Sequence, residues 1–383
     1  MENTIINFTQ HLYKTYESYK VRELSSHKFK HQELWEIIHN HSQGLENILT
    51  IQNVGYSTEG RAINLLTLGN GKKKILMWSQ MHGDEPTATM ALLDILSYIK
   101  KNISTQEIQK ILSETTLLIV PMLNPDGAER FQRQTVFSVD MNRDALQLST
   151  PEAKILHSLQ ETYKPQFGFN LHDQDPRFTV GNTGNIATIA LLAPAYNYEK
   201  SDNDVRTIAK KLSSEFYTIL KQFIPENISR YDDSYEPRAF GDSMQRWGVS
   251  TVLIESGGRH NDPEKMYIRQ LNCVALLGIF YSIALDNFHN ADIDLYEQIP
   301  LNTKYFYDVI VRGVELKISN INSSIITDIG LMVEKEKYRV AEIGDLSMYS
   351  AFEEIDGKKK SVLSEKFFLN AVLAKEEKKI FIS

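Results

Sequence analysis

The hydrophobic pattern changes character three times along the chain. Residues 1–45 carry isolated apolar positions in a polar background and read as an N-terminal helical segment, with Leu34, Trp35, Ile37 and Ile38 offering a packing face. Between residues 46 and 290, short apolar runs of strand length alternate with longer periodic runs of helix length. The strand candidates are 63–68, 75–78, 116–120, 167–171, 186–192 and 251–254, and the clearest helices are 86–101, 151–163, 202–223 and the apolar 264–285. Ser149-Thr150 ahead of Pro151 is a good helix start, and Asp202 or Asp204 is the expected cap of the helix over 202–223. Such alternation predicts an α/β fold, with a mixed, mostly parallel sheet flanked by helices on both faces.

Residues 300–383 read instead as a small β-rich accessory domain of short strands. Within it the apolar positions Val309 and Val311 are odd-numbered, whereas Val314, Leu316 and Ile318 are even-numbered. The strand phase therefore slips at Gly313, which predicts a bulge or tight turn there. Charge supports the same boundary. From Gln298 onward there are 13 basic and 13 acidic residues, so the net charge of −7 belongs to the preceding part.

Composition narrows the classes. At 42% hydrophobic and 24% charged residues, the chain can bury a sizeable core. Its acidic balance argues against a nucleic-acid partner. The opening "MENTIINFTQHLYKTYESYK" has no signal-peptide-like apolar run, no later run is expected to span a membrane, and a cytoplasmic location is the expectation. The one cysteine, Cys273, lies in an apolar stretch and reads as a small buried hydrophobe with no internal disulfide partner.

Ligands of open α/β sheets bind beyond the carboxyl ends of the strands. His82 and Glu85 follow the 75–78 run, "PMLNPDG" follows 116–120, His172 follows "FGFN", and Glu255 follows "STVLI". Two histidines and two glutamates thus fall at three strand ends. Zinc in hydrolases takes two His and one Glu and keeps an open position for water. A further, unligated carboxylate is what such a site needs as general base. By contrast, His39 and His41 sit in a polar helical end and read as solvated, and His157 beside Leu156 and Leu159 reads as a packing or surface residue.

The segments "HGDE", "NPDG", "VDMNRD", "NLHDQ" and "LIESGG" occur in that order over about residues 50–285. In this the chain resembles the zinc carboxypeptidases, the funnelin-type metallocarboxypeptidase family. The resemblance implies that His82, Glu85 and His172 hold one Zn2+ per chain and that Glu255 is the general base. It gives Asn142 and Arg143 the terminal carboxylate of a peptide, which a guanidinium fork matches. Arg133, nine residues before Asn142, has the spacing that some branches use for the arginine facing the scissile carbonyl; Arg130 competes for that role. Asp140 fits the family's carboxylate that accepts the N–H of a ligand histidine.

Three positions depart from the family pattern. Asp173 stands where many digestive-type members have a small residue, and could select a cationic or amino-bearing substrate. Tyr231 and Tyr235 both compete for the role of the family's mobile tyrosine. The floor of the side-chain pocket, near Arg238 to Asp242, carries both charge signs. The β-rich end, "DVIVRGVELKI" through "IDGK", is similar to the small β composite domain of amidohydrolases; with no metal motif, it is expected to be structural or partner-binding.

The function implied is zinc-dependent hydrolysis of the C-terminal amide bond of peptides. The alternatives are an aspartoacylase-like deacylase of N-acyl amino acids, with the same metal centre, and a non-catalytic zinc scaffold that binds peptide C-termini. Retention of Glu255 argues against the scaffold, because binding alone needs no base.

Overall fold

Apolar runs too short for helices and rich in β-branched residues form the strands of a central sheet. In the computed structural model, which describes residues 2–304, 306–319, 322–334, 337–358, 360–363 and 372–373, this sheet has eight strands. They are β1 (Leu49–Tyr56), β2 (Ala62–Leu68), β3 (Lys73–Trp78), β4 (Thr115–Val120), β5 (Phe167–Asp173), β7 (Ile189–Leu192), β8 (Ile228–Arg230) and β9 (Ser250–Ser256). Their order is β1-β2-β4-β3-β5-β9-β7-β8. The middle of the sheet, β4-β3-β5-β9, is parallel, and β1, β2 and β7 run antiparallel to a neighbour.

Alternate residues of the central strands enter two different cores. Ile75, Met77, Leu117, Ile119, Phe167, Phe169 and Ile254 join one hydrophobic cluster, while Leu76, Trp78, Leu118 and Val120 join another. Burial on both faces explains why these runs are continuously apolar rather than alternating. On the first face lie α1 (Glu2–Thr15), α2 (His31–Ser42), α3 (Thr87–Lys101), α4 (Gln106–Glu114), α7 (Asp204–Leu220) and α9 (Met266–Ala284), all contributing to that cluster. On the second lie α6 (Pro151–Tyr163) and α8 (Phe240–Arg246). The short α5 (Pro125–Arg130) and α10 (Ile293–Gln298) are the remaining α-helices among the described residues. The N-terminal segment is fastened by a buried ion pair. Asp94 of α3 accepts from Arg269 of α9 at 2.6 Å, from the Tyr16 hydroxyl at 2.6 Å and from Val21 N–H at 2.8 Å.

Some expectations need correction. Asn203, not Asp202 or Asp204, caps α7, its side chain accepting from Arg206 N–H at 2.9 Å; Asp202 is drawn instead to Lys210 at 2.8 Å. The strand expected over 186–192 enters the sheet only from Ile189, while Ile186 bridges to Thr179. Helix α9 is long and apolar enough, by length and composition, to cross a membrane, and here most of it is buried in the protein. Cys273 lies within it, buried.

Met1–Gln174 with Thr188–Leu301 forms one compact unit, and Asp175–Ala187 with Asn302–Ser383 forms a second. In the second unit, β11 (Phe306–Lys317), β12 (Ser324–Glu334), β13 (Lys337–Gly344), β14 (Ser350–Asp356), β15 (Ser361–Leu363) and β16 (Val372–Leu373) make a sheet ordered β14-β11-β12-β13-β16, with β15 also paired to β11. The register of β11 on β12 shifts between Val311 and Val314, so a bulge does place Val309, Val311, Val314 and Leu316 in one core. Gly313 has φ +65°, and its N–H donates to Asp328 at 2.8 Å. The excursion Asp175–Ala187 belongs to this unit through β6 (Thr179–Val180), which pairs with β10 (Asn302–Thr303), and through Arg177, which reaches Asp308 at 3.1 Å.

Candidate active site

Strand β3 ends at Trp78, and the chain turns through Ser79–Pro86 before α3 begins. Two motifs shape this turn against each other. A Cβ at Gly83 would lie 2.0 Å from the carbonyl carbon of Gly127, and one at Gly127 would lie 2.5 Å from the Asn124 amide. Asn124 caps α5 by accepting from Gly127 N–H at 2.9 Å and donates to Met81 O at 3.3 Å. "NPDG" is therefore a bracket that holds the "HGDE" turn; its Asp126 is buried against Ser57 and Arg61.

That turn buries His82 and Glu85. His82 Nδ1 lies 2.7 Å from Glu85 Oε1, and His172 Nδ1, at the end of β5, lies 2.7 Å from Glu85 Oε2. The candidate ligand atoms of the three residues all fall within 4.8 Å of one another. Behind His82, Asp140 Oδ1 sits 3.1 Å from Nε2, where it would accept that ring proton when Nδ1 serves a metal. Two imidazoles and one carboxylate, oriented by a second carboxylate, are a donor set that fits zinc.

The charges are strongly coupled. Burial opposes charge on His82, but Glu85 and Asp140 outweigh it and lift the imidazole to about 9. Burial also opposes ionisation of Glu85, and the two histidines overcome it, holding its carboxyl well below the usual range. Burial pushes His172 down.

Glu255 stands in register opposite His172 on the neighbouring parallel strand, so both side chains leave the same face of the sheet. Its Oε2 is buried without a hydrogen-bond partner. Burial, then the negative charge of Glu85, raise its carboxyl well above the ordinary glutamate value.

The arginines separate cleanly. Arg133 donates to Asp140 Oδ2 through Nε at 3.2 Å and Nη2 at 3.0 Å, and Nη1 reaches Glu85 Oε1 at 3.1 Å. Arg130 instead pairs with Glu59 on the surface. Asp140 also accepts from Asn142 N–H at 2.9 Å, capping the single 3-10 turn Met141–Arg143. Asn142 Oδ1 accepts from Phe240 N–H at 2.9 Å, tying this turn to α8. Arg143 keeps a partly exposed guanidinium whose Nη1 donates to Asn142 O at 2.7 Å and whose Nε lies 3.7 Å from Glu236. Asp144, its neighbour in sequence, is occupied by Ser149 and Thr150.

Among the remaining sequence candidates, Tyr231 is brought close enough for Glu255 to help burial raise its hydroxyl pKa, whereas Tyr235 packs edge-on against Tyr198, 5.0 Å between centroids. Asp173 is not left open to a substrate's charge on Oδ2, where Lys265 donates at 3.1 Å and Thr87 at 2.6 Å. Sequence reasoning missed Lys265, which also donates to Ser256 O at 2.9 Å and so clasps the ends of β5 and β9. Its position just ahead of an apolar helix carries no such signal. Also missed was Asn170, two residues before His172 and fully buried, with neither amide atom partnered.

The sequence matches the zinc carboxypeptidase family over residues 36–254. The chain belongs to that family. The match spans every candidate above up to Ile254 and stops one residue short of Glu255. The chain is 27% identical over 305 residues to carboxypeptidase 2 of Trichophyton tonsurans, covering 73% of this chain and 53% of that one. It is 30% identical over 223 residues to human carboxypeptidase D, covering 49% of this chain and 16% of that one. The chain thus spans about half, or less, of the relatives it matches. Its fold is shared with a metallo-carboxypeptidase from Burkholderia cenocepacia, at TM-score 0.54 and 17% identity over 68% of this chain and 70% of that one. It is also shared with the Pseudomonas aeruginosa metallo-carboxypeptidase solved with (2-guanidinoethylmercapto)succinic acid, at TM-score 0.53 and 16% identity over 68% and 70% of the two chains.

Proposed function

We propose that the chain is a zinc-dependent carboxypeptidase that removes the C-terminal residue of a peptide. The observation that carries this reading is Glu255, a carboxylate with a buried, unpartnered oxygen in register opposite His172. A binding module has no use for that arrangement, whereas a hydrolase does.

His82, Glu85 and His172 would hold the zinc, which would supply Lewis acidity toward water and the scissile carbonyl. Glu255 accepts a proton from the attacking water and returns it to the leaving amine; a carboxyl raised by burial is better matched to both transfers. Arg133, anchored through Asp140, presents Nη1 toward the same cluster and donates to the oxygen on which negative charge develops. Arg143, whose guanidinium is partly exposed and only loosely paired with Glu236, receives the peptide's terminal carboxylate, with Asn142 holding the turn beneath it. Of the two tyrosines, Tyr231 is the one we assign to close over the bound residue, supported by its electrostatic coupling to Glu255.

The test is a matched set: a peptide with a free C-terminus, its C-amidated twin and an N-acyl amino acid, each offered to the zinc-loaded protein with products read by mass. The free acid should lose single C-terminal residues, and kcat/KM on the amide should be lower by about tenfold or more, since a hydrogen bond to a charged group contributes roughly 1.5–3 kcal/mol. Equal cleavage of acid and amide would sink carboxylate anchoring, and cleavage of the acyl amino acid alone would identify a deacylase.

A further inference from the structure

His172 and Glu255 stand on neighbouring parallel strands, and the next residue of each strand, Asp173 and Ser256, forms the last register pair of β5 and β9. One ammonium spans that pair. Lys265 Nζ donates to Asp173 Oδ2 at 3.1 Å and to Ser256 O at 2.9 Å. It thus bridges the residue after a metal ligand and the residue after the base. Glu85 is drawn into the same knot. Thr87 Oγ1, two residues beyond Glu85, donates to the same Oδ2 at 2.6 Å, and Asp173 N–H donates to Glu85 Oε2 at 3.2 Å. No other cation lies within ion-pair distance of Asp173 among the described residues.

Lys265 is itself held in place. Its backbone has φ +54°, in the left-handed region that a lysine seldom occupies. Such a conformation persists where the surroundings enforce it, and it is concentrated at functional positions. Here Lys265 N–H donates to Asp262 O at 3.0 Å, while the Asp262 carboxylate accepts from Met266 N–H at 2.7 Å and from Tyr267 N–H at 3.0 Å. The brace therefore stands on the first turn of α9, whose later turns are buried in the core.

Resting on the carboxypeptidase reading, we propose that Lys265 is a positioning residue: it fixes the separation of His172 from Glu255 and so sets turnover, without touching the substrate. A misplacement of about 1 Å between reacting groups lowers rate about 10²-fold. Arg143 and Asn142 lie on a separate turn tied to α8, so loss of the brace leaves the carboxylate anchor where it is.

The experiment compares the zinc-loaded parent with Lys265→Met and with the double variant Asp173→Asn/Lys265→Met on a free-acid peptide. Zinc is measured in each, kcat is expressed per bound zinc, and folding is checked by denaturant titration. Methionine keeps most of the stem and has no donor. The double variant also removes the buried charge that Lys265→Met leaves unpaired, so the comparison survives if the single variant does not fold. The expected result in both is a kcat about 10²-fold lower, with KM within about threefold of the parent. Lys265→Ala should regain kcat on addition of propylammonium, which replaces the excised atoms, and not on addition of sodium. A merely structural lysine would lower stability when removed and leave kcat per zinc unchanged. A kcat per zinc within about threefold of the parent in the double variant therefore overturns the inference, as does a loss carried by KM alone. Cleavage of no free-acid peptide by the parent would instead overturn the carboxypeptidase reading, and this inference with it.

Discussion

Glu255 and Asp173 are carboxylates one residue apart in strand register, and their surroundings give them different work. Asp173 is compensated by Lys265, so it secures the ends of two strands. Glu255 has no cation on its buried oxygen and keeps its basicity. Glu255→Gln is nearly isosteric and cannot accept a proton. It should retain zinc by elemental analysis while turnover falls about 10²–10⁴-fold; near-parental turnover would assign the base elsewhere. Asp242 yields a prediction about stability. Burial lifts its carboxyl from 3.8 to about 7. Between those values the folded state binds more protons than the unfolded one, so stability falls as pH rises. Asp242→Asn should therefore gain on the parent from pH 4 to pH 8, by at most about 4 kcal/mol. Denaturant titrations at the two pH values would show it, and a difference that stays flat with pH would refute the raised pKa.

At the scale of elements, the site depends on contacts between backbones that leave no room for side chains. The β3–α3 turn meets the start of α5 at Gly83, where an added Cβ would fall 2.0 Å from Gly127 C and 2.2 Å from Ala128 N. Backbone cannot swing aside as a flexible side chain can. Gly83→Ala should cost about 3 kcal/mol or more and should also lower zinc content, because His82 is the next residue. Chemical denaturation together with metal analysis checks both. Full zinc occupancy at parental stability would mean that the turn relaxes without moving the ligand. The edge strand β1 shows a limit of pattern reading. "LTIQNVGY" has seven of its eight residues exposed or partly so, and it gave no strand signal because only one neighbour covers it.

For the whole molecule, the notable feature is how the second unit is assembled. It takes in Asp175–Ala187, which begins three residues after His172, as well as the C-terminal strands. Without residues 302–383, β6 would lose β10, the one strand paired with it among the described residues, and Arg177 would lose Asp308. A chain ending at Leu301 keeps every residue of the candidate site. It should nonetheless melt lower and be cut by trypsin at Arg177, whereas the full chain resists there. Identical digestion patterns would show that the excursion holds its conformation alone.

Read by itself, the sequence determined the alternation of strands and helices, the slip at Gly313 and the order of the chemical motifs, because these depend on neighbours along the chain. Strand ends in a parallel sheet gather at one edge, so His82, Glu85, His172 and Glu255 could be grouped before any distance was known. Tertiary structure decided what depends on partners far apart in sequence. Arg130 and Arg133 are alike as residues, and only their meetings with Glu59 and Asp140 separate them. Asp173 looked available until Lys265, ninety-two positions away, was found beside it. Asn170 gave no signal at all, since a missing hydrogen bond is a property of the space around a side chain and not of the chain that carries it.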